Sequence, residues 1–181
     1  MKYILTGAQG TGKSTLLHHF DGRMNIITEV VRNLAKDEHI SVNEEGNVRG
    51  QTRIFDTYYD ILSKTDSPYI SDRGLTDVLA YTCYNMKDKG VEGEKFLEDQ
   101  MNQFIRFSDN NPDVVYFYVP IEFDVEWDGF RSTDEEFRKE IDKNIKDLLD
   151  AMNIDYIELR GTVEERLDMI EGVMKNYGDL N

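Results

Sequence analysis

The sequence has one cysteine, three prolines and no long apolar run. A lone Cys83 excludes an internal disulfide framework and a cysteine-rich metal site. The prolines, Pro68, Pro112 and Pro120, stand at the borders of apolar segments and interrupt none of them. No stretch approaches the roughly 20 apolar residues that a membrane-spanning helix needs. The chain opens on "KYILTG", without a basic region followed by a long apolar core, so no secretory leader is expected and a cytoplasmic home is the simplest reading. Positive charge is scarce as well: 21 Lys and Arg stand against 36 Asp and Glu, for a net charge of −15. Residues 121–181 are the more acidic part, with 8 basic against 18 acidic side chains. Such a field repels a phosphate backbone and argues against nucleic acid as a partner. A small anionic ligand would need a local positive site within it.

What is present is an ordinary globular mixture, 39% hydrophobic and 31% charged over 181 residues. That length suits one domain, 1–181, with one core. No repeat, low-complexity segment or linker interrupts it. Apolar segments alternate in type. Strand patterns fall at 3–7, 24–29, 67–74, 112–120 and 155–159, and helical periodicity at 11–20, 30–37, 51–64, 75–89, 93–108, 132–152 and 162–177. Nearly continuous apolar strands alternating with helices predict an α/β fold, a five-stranded parallel sheet with helices on both faces.

The first strand runs into Gly7-Ala8-Gln9-Gly10-Thr11-Gly12-Lys13-Ser14, the G-x-x-x-x-G-K-[ST] pattern of a phosphate-binding loop. Strand before and helix after supply the context the pattern requires. Gly7, Gly10 and Gly12 let the backbone turn its N–H groups inward, and the helix start adds its positive end. Lys13 is placed to reach the β- and γ-phosphates of ATP, Ser14 to offer a hydroxyl to Mg²⁺, and Thr15 to support them. The loop names the donor and leaves the reaction open. A guanine-reading "NKxD" segment is missing, since "DKNIKD" has the wrong order. The length and the apolar strand ending in "DE" of an AAA-type machine are missing too. A small phosphotransferase fits what remains.

Ligands in parallel α/β sheets gather at the carboxyl ends of strands. Glu29 ends the second strand and is a candidate base for an attacking hydroxyl. Arg32, one turn on, either holds a substrate anion or makes only a salt bridge. Asp72 and Arg73 end the third strand, Asp72 as an alternative base or a Mg²⁺ ligand and Arg73 as a ligand for a phosphate or for the acceptor. Asp77 and Tyr81 either line the acceptor pocket or serve as a helix cap and a core aromatic. Arg53, Phe55, Tyr58 and Tyr59 form a patch that either stacks an acceptor ring or belongs to the core. The segment 126–138 reads as a lid over ATP, with Arg131 as first choice and Arg138 as second for the transferring phosphoryl group. Trp127 and Phe130 would pack within it. His18 and His19 read as helix-face residues, without the further ligands a metal needs.

The ordered set "GAQGTGKST", "TEVVRNLA", "RIFDTYYDIL", "ISDRGLTDVLAY", "PDVVYFYVP", "DGFRSTDEEFR" and "IELRGTVEERLDMI" resembles the P-loop nucleoside/nucleotide kinases. Within them it is most similar to the ribosylnicotinamide kinase domain of NadR-type proteins, a type that phages also carry. The resemblance spans residues 3 to about 175. It implies a three-layer P-loop kinase fold with a lid, ATP and Mg²⁺ as cofactors, and a small nucleoside- or nucleotide-like acceptor. Glu29 matches the base of deoxynucleoside kinases, Asp72-Arg73 the acidic–Arg pair of deoxynucleoside and thymidylate kinases, and Arg131 the lid arginine. Val30-Val31-Arg32 and Gly74-Leu75-Thr76-Asp77 depart from those families, both on the acceptor side. A polynucleotide or DNA-base kinase and a non-catalytic ATP-binding module remain as other readings. The sequence does not give the oligomeric state.

Overall fold

A computed structural model describes residues 1–124 and 134–180. Five strands form one parallel sheet: β1 (Lys2–Thr6), β2 (Asn25–Ile27), β3 (Tyr69–Ser71), β4 (Val114–Tyr118) and β5 (Tyr156–Glu158), in the order β2-β3-β1-β4-β5. Every pair is parallel, with Tyr3 opposite Ile70 on one side and Val115 on the other. Among the described residues six α-helices run between the strands and a seventh follows β5: α1 (Lys13–His18), α2 (Val30–Glu38), α3 (Val48–Lys64), α4 (Leu75–Met86), α5 (Gly90–Asn110), α6 (Glu135–Ala151) and α7 (Val163–Asn176).

Alternation along the strands sorts the core into two layers. Tyr3, Leu5, Ile70, Phe117 and Val119 face α1 and α7, where Leu16, Leu17, Phe20, Ile170 and Met174 meet them. Ile4, Tyr69, Tyr116 and Tyr118 face the other way, toward the buried stripes of α2 to α6. Helices thus cover both faces, two on one and five on the other, which is why the strands read as nearly unbroken apolar runs.

Helix starts follow their caps more than their apolar periodicity. α3 begins at Val48, three residues before the expected 51, because the Asn47 side chain accepts from Gly50 N–H at 3.0 Å. Asp134 caps α6 by accepting from Phe137 N–H at 2.9 Å. Thr162 and Glu165 close a reciprocal capping box on α7. Among the described residues no helix is long and apolar enough to cross a membrane.

Candidate active site

The carboxyl ends of all five strands open into one cleft of about 980 Å³. Its two sides follow from the strand order. Glu29 after β2 and Asp72-Arg73 after β3 lie on one side of central β1, and Glu122–Asp124 after β4 and Gly161–Arg166 after β5 on the other. Between them, Gln9 to Leu16 line the floor. Gly7 and Ala8 are buried beneath it.

The loop is built by tying down its carbonyls with cationic side chains. Lys13 Nζ donates to Gly7 O at 2.6 Å and Ala8 O at 2.7 Å. Arg138, 1% exposed on α6, donates through Nε to Gln9 O at 3.0 Å and through Nη2 to Gly10 O at 3.3 Å. Arg166, 3% exposed on α7, donates through Nη1 to Thr11 O at 3.1 Å. Five successive carbonyls are therefore held by cationic side chains. Among the described residues no protein group accepts from the N–H groups of Gly10, Thr11, Gly12 or Ser14. Such a row of amide donors is a ready anion cradle. α1 is only six residues long, so the amides and Lys13 outweigh its helix field. Gly7 is required by close approach, since a Cβ there would lie 2.4 Å from Val119 O. Gly12 is required by its φ of +90°.

On the β2–β3 side, Glu29 caps α2 with φ 58° and ψ 13°, a left-handed conformation that a non-glycine residue adopts at a cost. Its Oε2 lies 3.1 Å from Arg32 Nε in an ion pair. Asp72 is 8% exposed; Oδ2 accepts from Thr28 Oγ1 at 2.7 Å, and Oδ1 is buried without a partner. Arg73 makes no ion pair among the described residues and lies over the Tyr81 ring at 5.3 Å. Burial works against its charge, but Tyr81, Tyr58, Asp77 and Asp72 outweigh it and keep the guanidinium protonated. Tyr58 lines the cleft, and burial with the nearby Asp72 charge pushes its phenol well up, so it stays a donor.

Two expected acceptor contacts are placed elsewhere. Arg53 lies on the outer face of α3, where Glu38 of α2 takes its guanidinium in three hydrogen bonds of 2.7–2.9 Å. Asp77 is fully buried below the cleft. Its Oδ1 accepts from Gly7 N–H at 3.1 Å and its Oδ2 from Gly74 N–H at 2.9 Å. Phe55 is core, and Tyr59 packs against it and Phe107. Arg138 holds loop carbonyls and does not line the cleft. Arg131, Trp127 and Phe130 lie outside the described residues. His18 pairs with Asp21 and His19 with Glu171 on the surface.

The β4–β5 side went unread in the sequence. Arg166 also donates through Nε to Gly161 O at 3.0 Å and through Nη2 to Glu122. Burial pushes the Glu122 carboxyl up, but Arg166 and the Gly161 N–H outweigh it and hold it below its usual value. Phe123 and Val163, 49% and 43% exposed, offer apolar surface beside the loop. A signal for Arg166 exists: it falls four residues before Ile170 and eight before Met174, on the apolar stripe of α7. Arg138 sits likewise among Phe137, Ile141 and Ile145 on α6.

A model of a family described as an AAA domain matches residues 2–166. The chain belongs to that family. It lacks the apolar strand ending in Asp-Glu expected of an AAA-type machine, β4 running instead into Val119-Pro120. No curated protein matches the sequence. Among solved structures, a NadR protein in complex with NR superposes with a TM-score of 0.73 at 16% identity, over 96% of this chain and 50% of that one. The chain therefore spans half the length of that NadR chain. Deoxyadenosine kinase from M. mycoides gives 0.60 at 17% identity over 98% and 100% of the two chains. Thymidylate kinase from Candida albicans gives 0.64 at 12% identity over 98% and 92%. The fold is that of the P-loop nucleoside/nucleotide kinases.

Proposed function

We propose that the chain is an ATP-dependent phosphotransferase that moves the γ-phosphoryl group to a nucleoside- or nucleotide-like small molecule. One observation carries this reading. The amide cradle shares a single cleft with Glu29, Arg32, Tyr58, Asp72 and Arg73, on the far side of β1 from Phe123 and Val163. A donor site alone has no need of that second half. The likeness to nucleoside and nucleotide kinases, and to a NadR protein crystallised with NAD and AMP-PNP, supports the same assignment.

In this reading the N–H groups of Gly10 to Ser14 and Lys13 hold the triphosphate, and Phe123 and Val163 take the base. The loop is already set for its ligand, so little reorganisation opposes binding. Ser14 and the unpartnered Oδ1 of Asp72 fit a Mg²⁺ ion, which would supply charge neutralisation on the phosphates. Arg73 meets the anion from the acceptor side. Glu29 orients or deprotonates the attacking hydroxyl, its left-handed backbone aiming it into the cleft, and Arg32 holds the Glu29 carboxylate until substrate arrives.

The test is transfer of label from γ-labelled ATP to a panel of nucleosides, nucleoside monophosphates and nicotinamide riboside. One acceptor class is expected to take the label, and Lys13→Ala to lower the rate by about 10³-fold. Release of label to water alone, at a rate indifferent to every acceptor, would favour an ATP-driven module and sink the kinase assignment.

A further inference from the structure

Helix α4 touches both halves of the cleft, and it does so through polar side chains on one face of its first two turns. Thr76 Oγ1 lies 3.2 Å from Thr6 Oγ1 at the end of β1. Asp77 takes the Gly7 N–H with one carboxylate oxygen and the Gly74 N–H with the other. Tyr81, one turn further on, donates its hydroxyl to Gln9 Oε1 at 2.9 Å and carries Arg73 over its ring. Thr6, Gly7 and Gln9 belong to the donor loop and its root. Arg73 and Gly74 belong to the turn that presents Asp72.

Both glycines are also pinned from behind. A Cβ at Gly7 would lie 2.4 Å from Val119 O, and one at Gly74 would lie 2.8 Å from Ile4 Cγ2. The loop backs onto β4 and the turn onto β1, so the buried carboxylate between them fixes their spacing. Capping α4 alone would need only the Gly74 bond. The Gly7 bond is surplus to that and reaches across 70 residues of sequence.

We propose that Asp77 and Tyr81 are positioning residues that set the phosphate loop against the Asp72-Arg73 turn, so that the donor phosphate and the acceptor-side groups are held in register. The proposal rests on the kinase reading. A carboxylate accepts both N–H groups, whereas an asparagine in its place accepts one and turns its own NH₂ against the other. Tyr81→Phe keeps the ring beneath Arg73 and removes only the bond to Gln9.

Displacing reacting groups by about 1 Å costs on the order of 10²-fold in rate. Asp77→Asn is therefore expected to lower kcat by about 10²-fold while leaving the Kd for ATP little changed, since the cradle amides of Gly10 to Ser14 are untouched. Tyr81→Phe is expected to act in the same direction with a smaller loss of kcat and only the small fall in melting temperature that one lost buried hydrogen bond brings, which keeps the test open if Asp77→Asn folds poorly. A second readout needs no acceptor. ATP added to ¹⁵N-labelled protein should shift the Gly74 amide resonance in the parent chain, and Tyr81→Phe and Asp77→Asn should weaken that shift. Equal losses of ATP affinity, kcat and melting temperature would reduce both residues to struts and overturn the proposal. So would an undiminished Gly74 shift in both variants. If the parent chain labels no acceptor, the kinase reading fails by itself, and the Gly74 shift still decides whether α4 links the two halves.

Discussion

Thr28 Oγ1 donates to Asp72 Oδ2 at 2.7 Å and so joins the carboxyl end of β2 to that of β3. The backbone repeats the tie, Asp72 N–H donating to Ile27 O at 3.1 Å. One Asp72 oxygen is thereby fixed and the other, Oδ1, is left buried without a protein partner. A carboxylate would be an expensive choice there if it had only Thr28 to serve. Asp72→Asn is expected to lower kcat by about 10³-fold, the size of a lost charge-stabilising group. It should also weaken Mg²⁺-dependent ATP binding while leaving binding in EDTA unchanged. Thr28→Val, which frees the carboxylate without removing it, should cost less than Asp72→Asn in the same assay. Equal activity of Asp72→Asn and parent would remove Asp72 from the site.

Glu29 offers a test of a different kind, because its backbone and its side chain make opposite demands. At φ 58° a residue with a Cβ costs about 1–2 kcal/mol relative to glycine. Glu29→Gly relieves that strain and should leave the melting temperature equal or higher, while phosphoryl transfer falls. Val31→Gly, two residues on at a helical position, should lower the melting temperature by the ordinary helix penalty of about 1 kcal/mol. If Glu29→Gly is as active as the parent, the strain serves the chain path into α2 and nothing chemical.

The contrast between legible and hidden parts follows from range. The strands, the loop from Gly7 to Ser14, the placement of Glu29, Asp72 and Arg73 just beyond strand ends and that of Arg32 in the first turn of α2 rest on local pattern, and all could be read from it. Arg53 was misplaced, and of the two readings of Asp77 the helix cap is the one the structure shows, because periodicity gives a helix face and does not say which neighbour that face meets. Arg53 meets Glu38 at the end of α2, and Asp77 meets Gly7 just beyond the carboxyl end of β1. Arg138, read as a lid arginine, and Arg166, unread, were hidden in their true roles for the same reason, their phosphate-loop carbonyl partners lying 128 or more residues away in sequence. Their one local mark is a guanidinium on an apolar stripe, which pays for its burial only when a polar partner waits beneath.

Acid should weaken the contact between α7 and the segment after α1. Arg23 and His19 donate to Glu171, with Lys175 behind them, and these bonds hold its carboxyl at about 2, down from 4.5. A depressed folded-state pKa gives stability that is complete above the unfolded value and is lost as pH falls through the folded one. The loss from this group should therefore run from about pH 4.5 down to about pH 2. Glu171→Gln should flatten the pH dependence of the melting temperature in that window and leave it alone near neutrality. An unchanged acid limb in Glu171→Gln would show the pair to be solvated.

Arg166 is where stability and ligand binding should fall together. Its guanidinium spreads three ways, to Thr11 O in the loop, to Gly161 O before α7 and to the Glu122 carboxylate after β4. Arg166→Ala takes the donor from two carbonyls and leaves the Glu122 carboxylate to Arg160 and the Gly161 N–H alone, and an unmet buried acceptor such as Thr11 O costs on the order of 1–3 kcal/mol. Arg166→Lys restores the charge but not the planar fork, so it can satisfy Glu122 and at most one carbonyl. The expected order of melting temperature and of ATP affinity is parent, then Lys, then Ala. Glu122→Gln separates the two roles. It relieves the ion pair yet leaves Arg166 on Thr11 O, so ATP affinity should hold closer to the parent than in either Arg166 variant. If Glu122→Gln weakens ATP binding as much as Arg166→Ala, the ion pair rather than the carbonyl contact shapes the loop.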